Sequence, residues 1–300
     1  MIILGAGLTG LIAACNFQNA IVYEKNSDSA LNHKALLRFR SPAVGENLGI
    51  EFKKVNVKKA IYHNGSFVQP NISLCNMYSD KVSGNVSDRS IWNIKTVDRW
   101  IAPENLHEQL AERCKGRIKY NVEVDYLPKK DEKIISTIPM NIIAGITGIK
   151  NSFKFEYKKI IVERYKIEKC DVYQTIYFPS TDRRIYRASI TGDILIIEST
   201  YFGDNLQPTM SEEISKIFNV TIKEKLNVVS QNFGKISPIP DIERKEFIRL
   251  LTVNHNILSL GRFAIWKNIL LDDVIQDINV LKKLIHMGDY DIMKKNLENL

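Results

Sequence analysis

The sequence predicts an α/β protein in which a Rossmann-type parallel-sheet domain is interrupted by a second, mainly antiparallel α+β domain. The first 25 residues show the order strand, glycine turn, helix and strand, which is typical of a nucleotide-type βαβ unit. Four strand-like runs lie between residues 155 and 199, and turn residues separate the last three at hairpin spacing. A buried strand at 257–261 and a long helix from about residue 272 to 285 return to the first pattern.

This order of elements predicts a first domain that is discontinuous in sequence. We assign residues 1–50, 110–150 and 250–300 to it, and residues 51–109 and 151–249 to the inserted domain. The chain has 300 residues, of which 44% are hydrophobic and 25% are charged, as in an ordinary globular protein. A chain of this size can bury the core of two interleaved domains.

Each glycine of the turn after the first strand has a physical reason. Gly5 permits the tight turn, Gly7 lets the main chain approach a pyrophosphate, and Gly10 lets the helix pack on the sheet. Glu24 follows Gly5 by nineteen positions, close to the spacing of about 20 for an acid that bonds ribose hydroxyls. The helix N-terminus directs N–H groups and partial positive charge at phosphates. These features predict a site for the ADP half of a dinucleotide; a plain glycine-containing turn is the alternative.

The net charge of +8 comes from 42 Lys and Arg against 34 Asp and Glu. A basic surface attracts nucleic acid, acidic metabolites or anionic membranes. The lysines are scattered, which favours a solvated surface and leaves nucleic acid as an open alternative partner. No apolar run approaches the ~20 residues that span a bilayer, so we expect no membrane partner. Because the first residues already form the nucleotide strand, we expect no signal peptide and a cytoplasmic protein.

The cysteines and histidines predict no metal site. Cys15, Cys75, Cys114 and Cys170 have spacings that fit no metal or redox motif, and the five histidines form no cluster. We expect four reduced thiols, with Cys15 facing the core from the first helix.

Three segments together resemble the flavoprotein superfamily of amine oxidases, protoporphyrinogen oxidase and UDP-galactopyranose mutase. The first is Gly5–Gly10 with Glu24. The second, Ile134–Pro139, is similar to the strand and proline turn that pass near FAD in that superfamily. The third, LGRFAIWK at 260–267 followed by LDDVI at 271–275, is similar to the C-terminal FAD motif of the mutases. There a Gly-Arg, an aromatic-Lys pair and an Asp at a helix start keep the same spacing.

The resemblance implies FAD as the cofactor and assigns residues to its parts. The glycine turn would hold the pyrophosphate, Glu24 the adenosine ribose, and the backbone of Val124 the adenine. Gly261 and Arg262 would lie by the ribityl-phosphate portion. Asp272 would cap the last helix, whose first N–H groups bond the flavin C2 carbonyl. The full set of cofactor-binding candidates is Gly5, Ala6, Gly7, Leu8, Thr9, Gly10, Glu24, Lys25, Arg38, Val124, Thr137, Gly261, Arg262, Asp272, Asp273 and Val274.

Several cationic and aromatic residues have a functional and a structural interpretation. Arg38 and Arg40 flank one apolar residue, so one of them could neutralise the FAD pyrophosphate or a substrate anion, or both pair with surface acids. Tyr177-Phe178-Pro179 and Tyr186-Arg187 resemble substrate-domain strands that bring an arginine towards the flavin. Arg187 in an apolar strand needs an anion partner, either a substrate or a structural acid. The catalytic candidates are Arg187 and Lys267, whereas Trp266 is expected to pack in the core.

The resemblance implies an FAD-dependent, amine oxidase-like oxidoreductase. It would transfer a hydride to flavin from a C–H next to an amine, on a small molecule or on a polymer such as nucleic acid. The chain departs from the superfamily because residues 25–40 lack the usual double glycine, and the histidine-glycine-glycine signature of the mutases is absent. The alternatives are a mutase-like flavoenzyme acting on a sugar nucleotide, and a non-catalytic nucleotide-binding protein.

Overall fold

The computed structural model describes residues 1–28, 37–86, 90–125, 132–200 and 210–287. The strands are β1 (Ile2–Leu4), β2 (Ile21–Tyr23), β3 (Arg38–Phe39), β4 (Lys53–His63), β5 (Ser66–Val68), β6 (Val97–Ile101), β7 (Ile118–Lys119), β8 (Ile134–Ser136), β9 (Tyr157–Ile167), β10 (Tyr173–Tyr177), β11 (Ile185–Thr191), β12 (Ile194–Thr200), β13 (Ile222–Ile236) and β14 (Ile257–Ser259). The helices are α1 (Leu8–Asn16), α2 (Ala43–Leu48), α3 (Ile72–Ser83), α4 (Leu106–Arg113), α5 (Met140–Thr147), α6 (Ser211–Phe218), α7 (Asp241–His255) and α8 (Leu271–Met287).

A five-stranded parallel sheet has the order β14-β8-β1-β2-β7. Ile2 of β1 is opposite Ile21 on one side and Ile134 on the other, and Ile134 is in turn opposite Ile257. These short strands are nearly continuous apolar runs, as expected for a parallel sheet covered on both faces. The sheet therefore joins the N-terminal strand to strands from the middle and the end of the chain.

Helices bury both faces of this sheet. On one face α1, α4 and α8 pack through fully buried side chains such as Leu11, Leu110 and Ile278. On the other face α5 and α7 pack around Phe247 and Trp266, which is 0% exposed. The position of Trp266 confirms the core-packing interpretation. None of the described helices is long and apolar enough to cross a membrane.

A larger sheet of nine strands forms the second layer, in the order β13-β9-β12-β11-β10-β4-β6-β3, with β5 paired to β4. All neighbours are antiparallel except β4 and β10, which run parallel. The mixed α/β architecture confirms the predicted fold class. Helix α3 covers part of one face through an apolar cluster that includes Tyr78, Val82 and Tyr186.

Two elements, β3 and α7, pack against a different sheet from the one that the predicted domain boundaries assign to them. β3 falls within residues 1–50, yet Arg38 is opposite Ile101 of β6 in the large sheet. α7 crosses the predicted boundary at residue 250, and its apolar face, including Leu251, packs in the core of the parallel sheet. The reason is long-range packing, which the sequence pattern of a two-residue strand or of a single helix does not specify.

Candidate functional site

The glycine turn connects β1 to α1 in the geometry that its glycines predict. Gly5 adopts a φ of +95°, which favours glycine, and its N–H donates to the Tyr23 carbonyl at 2.8 Å. Gly7 is the extended residue before α1, and no side chain caps the helix there. The first N–H groups of α1 therefore face the end of the sheet at which a phosphate would bind.

The three glycines differ in what a side chain would meet. A Cβ on Gly10 would lie 1.9 Å from the Gly5 carbonyl oxygen, so α1 packs directly on the turn. A Cβ on Gly5 would lie 2.9 Å from Oγ1 of Thr137. A Cβ on Gly7 would have no atom of the described chain within 4 Å. Gly7 thus borders open space that a ligand phosphate can occupy, whereas Gly5 and Gly10 serve the packing.

Glu24 lies directly beneath the turn. Its carboxylate accepts hydrogen bonds from the Ala6 N–H at 2.8 Å and from the Asn26 N–H and Nδ2 at 3.0 and 2.7 Å. The residue is 9% exposed. The acid at the end of β2 is therefore held next to the phosphate turn, where the predicted ribose would lie.

His107 is a residue of this region that sequence reasoning missed. From α4 its Nε2 lies 3.2 Å from the Ala6 carbonyl oxygen, and the side chain is buried. The sequence signal is weak: Leu106 and Leu110 stand at helical spacing on either side of His107. A groove of about 420 Å³ runs past it, lined by Asp28, His107, Glu108, Ala111, Glu112, Lys115, Gly116, Ile118 and Tyr120.

The predicted adenine side lies beside Glu24. The Val122 N–H donates to the Glu24 carbonyl at 3.0 Å, and half-buried Val124 packs with the cluster that includes Tyr23. Lys25 is exposed. Of the glycine-free stretch 25–40, residues 29–36 lie outside the described residues.

Two later segments close on the turn from the other side. Oγ1 of Thr137 donates to the Leu4 carbonyl at 2.7 Å, directly behind Gly5. Gly261 follows β14 with a φ of +87°, and a Cβ there would lie 2.6 Å from Cγ2 of Thr9. The structure therefore brings the glycine turn, the proline turn and the C-terminal Gly-Arg together.

The start of α8 differs from the prediction. The helix begins at Leu271, so Asp272 lies in its first turn and does not cap it. The Asp272 carboxylate accepts from the N–H groups of Arg40 and Ser41 at 2.9 and 3.1 Å, while Asp273 Oδ2 accepts from the Leu270 N–H at 2.8 Å. Leu270 therefore occupies the N-cap position, and Asp273 at the third helical position accepts from its N–H, as the acid of a capping box does.

Arg40 and Val274 complete the surroundings of this helix start. Arg40 Nη2 forms an exposed ion pair with Asp273 at 2.5 Å. The Val274 side chain is 1% exposed and packs in the core, so it does not face a ligand. Asp272 and Arg40 thus fasten the segment after β3 to α8.

Arg38 extends into the large sheet, where its hydrogen bonds go to β10 and β11 and not to the glycine turn, and its role at the FAD pyrophosphate stays a prediction. Its Nη1 donates to Thr175 Oγ1 at 2.8 Å, and its Nη2 to Thr191 Oγ1 at 2.7 Å and to the Ile190 carbonyl at 2.5 Å. Its Nε is buried with no partner among the described residues. Burial, followed by the charge of Arg187, lowers the pKa of Arg38 to about 9.

Arg187 has a structural acid as its partner. Its Nε donates to Glu198, its Nη2 donates to the other oxygen of Glu198 at 2.7 Å, and the Tyr186 hydroxyl donates to the same carboxylate at 3.1 Å. Glu198 is 1% exposed. Burial opposes both charges, but their mutual attraction outweighs it, so the pKa of Arg187 is raised and that of Glu198 is lowered.

Arg38 and Arg187 belong to a group of four half-buried cations, completed by Lys59 and Arg99, that we call the cationic face. Lys59 of β4 is opposite Thr175 of β10, which accepts a hydrogen bond from Arg38. Arg187 of β11 is opposite Tyr177, two positions after Thr175 on β10. Burial, followed by the charge of Arg99, lowers the pKa of Lys59. Glu198 neutralises one of these four charges, which leaves the face positive.

The remaining candidates lie nearer the surface. Arg262 Nη2 donates to Asn268 Oδ1 at 3.1 Å, and Lys267 is exposed. Tyr177 is half-buried on the large sheet next to Tyr78 of α3. Lys267 lies between β14 and α8 whereas Arg187 lies in β11, and no hydrogen bond or ion pair of the described residues joins them.

Comparisons with known proteins find similarity in structure. No protein-family model matches the chain, and no curated protein matches it in sequence. Reduced UDP-galactopyranose mutase superposes over 95% of this chain and 93% of its own with a TM-score of 0.67 and 14% identity. An oxidoreductase from Methanosarcina mazei superposes over 94% of this chain and 99% of its own, with a TM-score of 0.60 and 11% identity. A geranylgeranyl bacteriochlorophyll reductase-like protein from Thermoplasma acidophilum superposes over 99% of this chain and 81% of its own, with a TM-score of 0.55 and 11% identity. The chain therefore shares the fold of these proteins.

Proposed function

We propose that this protein is an FAD-dependent oxidoreductase. The observation that carries the proposal is the open space at Gly7 beside the buried carboxylate of Glu24, at the uncapped N-terminus of α1. A pyrophosphate there would receive the α1 N–H groups, and Glu24 would bond the adenosine ribose. The shared fold with the mutase and the oxidoreductase supports this assignment.

The far end of the cofactor would lie along the C-terminal motif. Gly261 packs beside Thr9 of the glycine turn, and Gly261 and Arg262 would lie by the ribityl-phosphate portion of the cofactor. The first N–H groups of α8 would face the flavin ring. Flavin accepts a hydride at N5, and the protein supplies orientation and charge.

The substrate is proposed to carry an anionic group. Arg187 of the cationic face forms an ion pair with Glu198. Among the described residues, no carboxylate forms an ion pair with the other three cations, Arg38, Lys59 and Arg99. Such a face repels a simple cationic amine and attracts a carboxylate or phosphate. An amine oxidised here would therefore carry an acidic group, as an amino acid does.

A sugar nucleotide is the second candidate, because its diphosphate also fits the cationic face. The reaction would then rearrange the substrate without net oxidation. Anaerobic addition of candidate substrates separates the two proposals, since an oxidised substrate bleaches the flavin and a rearranged one does not. We would test amino acids and nucleotide sugars in parallel.

The cofactor assignment is tested by the visible spectrum of the purified protein and by one substitution. Gly7→Val fills the open space and should abolish FAD retention while the circular dichroism spectrum stays that of the wild type. Gly145→Val is the control, since Gly145 also borders open space but lies on the exposed side of α5. A colourless wild type that binds no added FAD, or a Gly7→Val variant that retains FAD, would refute the proposal.

A further inference from the structure

Cys15 and Cys114 lie in contact although 99 positions separate them. Their Sγ atoms are 3.8 Å apart, and both are free thiols. Cys15 is in α1, and Cys114 directly follows α4, which packs against α1. Cys15 is half-buried and Cys114 is 0% exposed. The two sulfurs therefore meet where the C-terminal ends of two helices join.

A guanidinium stabilises negative charge at this pair. Arg117 Nη2 donates to Cys114 Sγ at 3.5 Å, while its Nη1 donates to the carbonyls of Ala14 and Ala20 at 3.0 and 3.2 Å. The hydrogen bond from Cys15 lowers the pKa of Cys114 to about 7. Burial opposes this shift, and the charge of Arg117 adds to it. The same hydrogen bond, followed by burial, raises the pKa of Cys15. At pH 7 about half of the Cys114 thiols are therefore ionised, whereas Cys15 stays a thiol.

We propose that Cys15 and Cys114 are an oxidisable dithiol that a hydroperoxide converts to a disulfide between α1 and the end of α4. One sulfur of the pair attacks hydrogen peroxide, the O–O bond breaks, and a sulfenic acid and one water form. The other sulfur then displaces the second water, and the S–S bond forms. Two thiols lose two protons and two electrons, and the peroxide becomes two waters.

The geometry requires little movement. The sulfurs must approach from 3.8 Å to about 2.05 Å, a shift of less than ~2 Å. The other cysteines lie elsewhere: Cys170 Sγ donates to the Gly192 carbonyl at 2.9 Å, and Cys75 packs in the apolar cluster beneath α3. Oxidation is therefore selective for one pair.

The disulfide would join the two helices that surround the phosphate turn. α1 begins at the turn, and α4 supplies His107 to the Ala6 carbonyl. A crosslink at the opposite ends of these helices fixes their packing and closes a long loop, which constrains the unfolded chain. The expected result is a more stable protein, whatever reaction it catalyses.

The experiment uses the double variant Cys75→Ser/Cys170→Ser, which retains only the pair. Hydrogen peroxide should remove two hydrogen atoms from its intact mass and yield one peptide linked through Cys15 and Cys114. The midpoint of thermal unfolding should rise by about 5 °C or more and return on addition of dithiothreitol. When Cys15→Ala is introduced into this double variant, the disulfide should not form and oxygen adducts should remain at Cys114.

Two results would overturn the proposal. One is a folded double variant whose intact mass stays unchanged in peroxide. The other is oxygen addition at both sulfurs without a linked peptide. The wild-type chain provides a second measurement if the double variant does not fold, since its linked peptide must still join Cys15 to Cys114 and exclude Cys75 and Cys170.

Discussion

Gly261 lies directly against Thr9, although more than 250 positions separate them. A Cβ on Gly261 would approach Cγ2 of Thr9 to 2.6 Å, and Gly261 has a φ of +87°. The contact joins the C-terminal motif to the glycine turn, so both halves of the proposed cofactor site depend on one glycine.

Gly261→Ala should destabilise the protein by about 1–3 kcal/mol for the backbone conformation alone, and the contact with Thr9 adds to that cost. The free energy of unfolding in urea measures the effect. Gly145→Ala is the matched control, because this helical glycine borders open space and should gain ~0.5–1 kcal/mol. Equal stability of the two variants would contradict the assigned contact.

Glu198→Gln should cost about 3 kcal/mol at pH 7, because it leaves Arg187 without its carboxylate. The double variant Arg187→Met/Glu198→Leu should recover part of that loss, since it removes both charges. The pKa of Glu198 is lowered in the folded state, so its stabilisation is present above the unfolded pKa of about 4.3. That stabilisation is lost as pH falls through the folded pKa, and the Gln variant should lack this part of the acid sensitivity.

Lys81 should make stability rise with pH above neutrality. Its Nζ donates to the carbonyls of Phe178, Ser180 and Ile185 at 2.6–2.9 Å, and burial lowers its pKa to about 7. Between pH 7 and about 10.4 the unfolded chain holds a proton that the folded chain has released. The unfolding free energy therefore rises with pH in this window, by up to about 5 kcal/mol.

Lys81→Met should flatten this pH slope, as measured by urea unfolding at pH 7 and pH 9.5. The control is Lys95→Met, because Lys95 is exposed and its removal should leave the slope unchanged. A slope in the Lys81 variant equal to that of the wild type would show that the buried amine does not titrate in this range.

The cationic face should bind anions through one side of β4. Lys59→Met should weaken the binding of inorganic pyrophosphate about tenfold, or ~1.4 kcal/mol, because it removes a half-buried charge beside Arg99. Lys58 points to the opposite face of the same strand and is exposed, so Lys58→Met should change the affinity little. Isothermal titration of the FAD-loaded protein measures both, and equal losses would indicate a diffuse charge effect.

The sequence could predict the local parts of the site because their spacing is short. Gly5, Gly7 and Gly10 lie within one turn and one helix start, and the acid at Glu24 follows after a single helix. The structure places these residues together through one βαβ unit. The motif at Gly261 also came from the sequence, although its contact with Thr9 did not.

Two assignments depend on details that the sequence pattern leaves open. The sequence allows Arg38 the FAD pyrophosphate, a substrate anion or a surface acid as partner, and the pairing of β3 with β6 directs its guanidinium into the large sheet. The sequence predicts Asp272 as the cap of α8, but that helix begins at Leu271, so Asp272 lies in its first turn. A small shift at a helix start changes which residue caps it, and the sequence leaves such boundaries open.

The βαβ unit, its glycine turn and the fold class follow from local sequence patterns, because backbone sterics and hydrophobic period act over a few residues. The pairing of Glu198 with Arg187, the approach of His107 to Ala6 and the contact of Cys15 with Cys114 arise in the folded chain. These contacts join residues far apart in the chain. They depend on strand register and helix packing, which are set when the whole core forms.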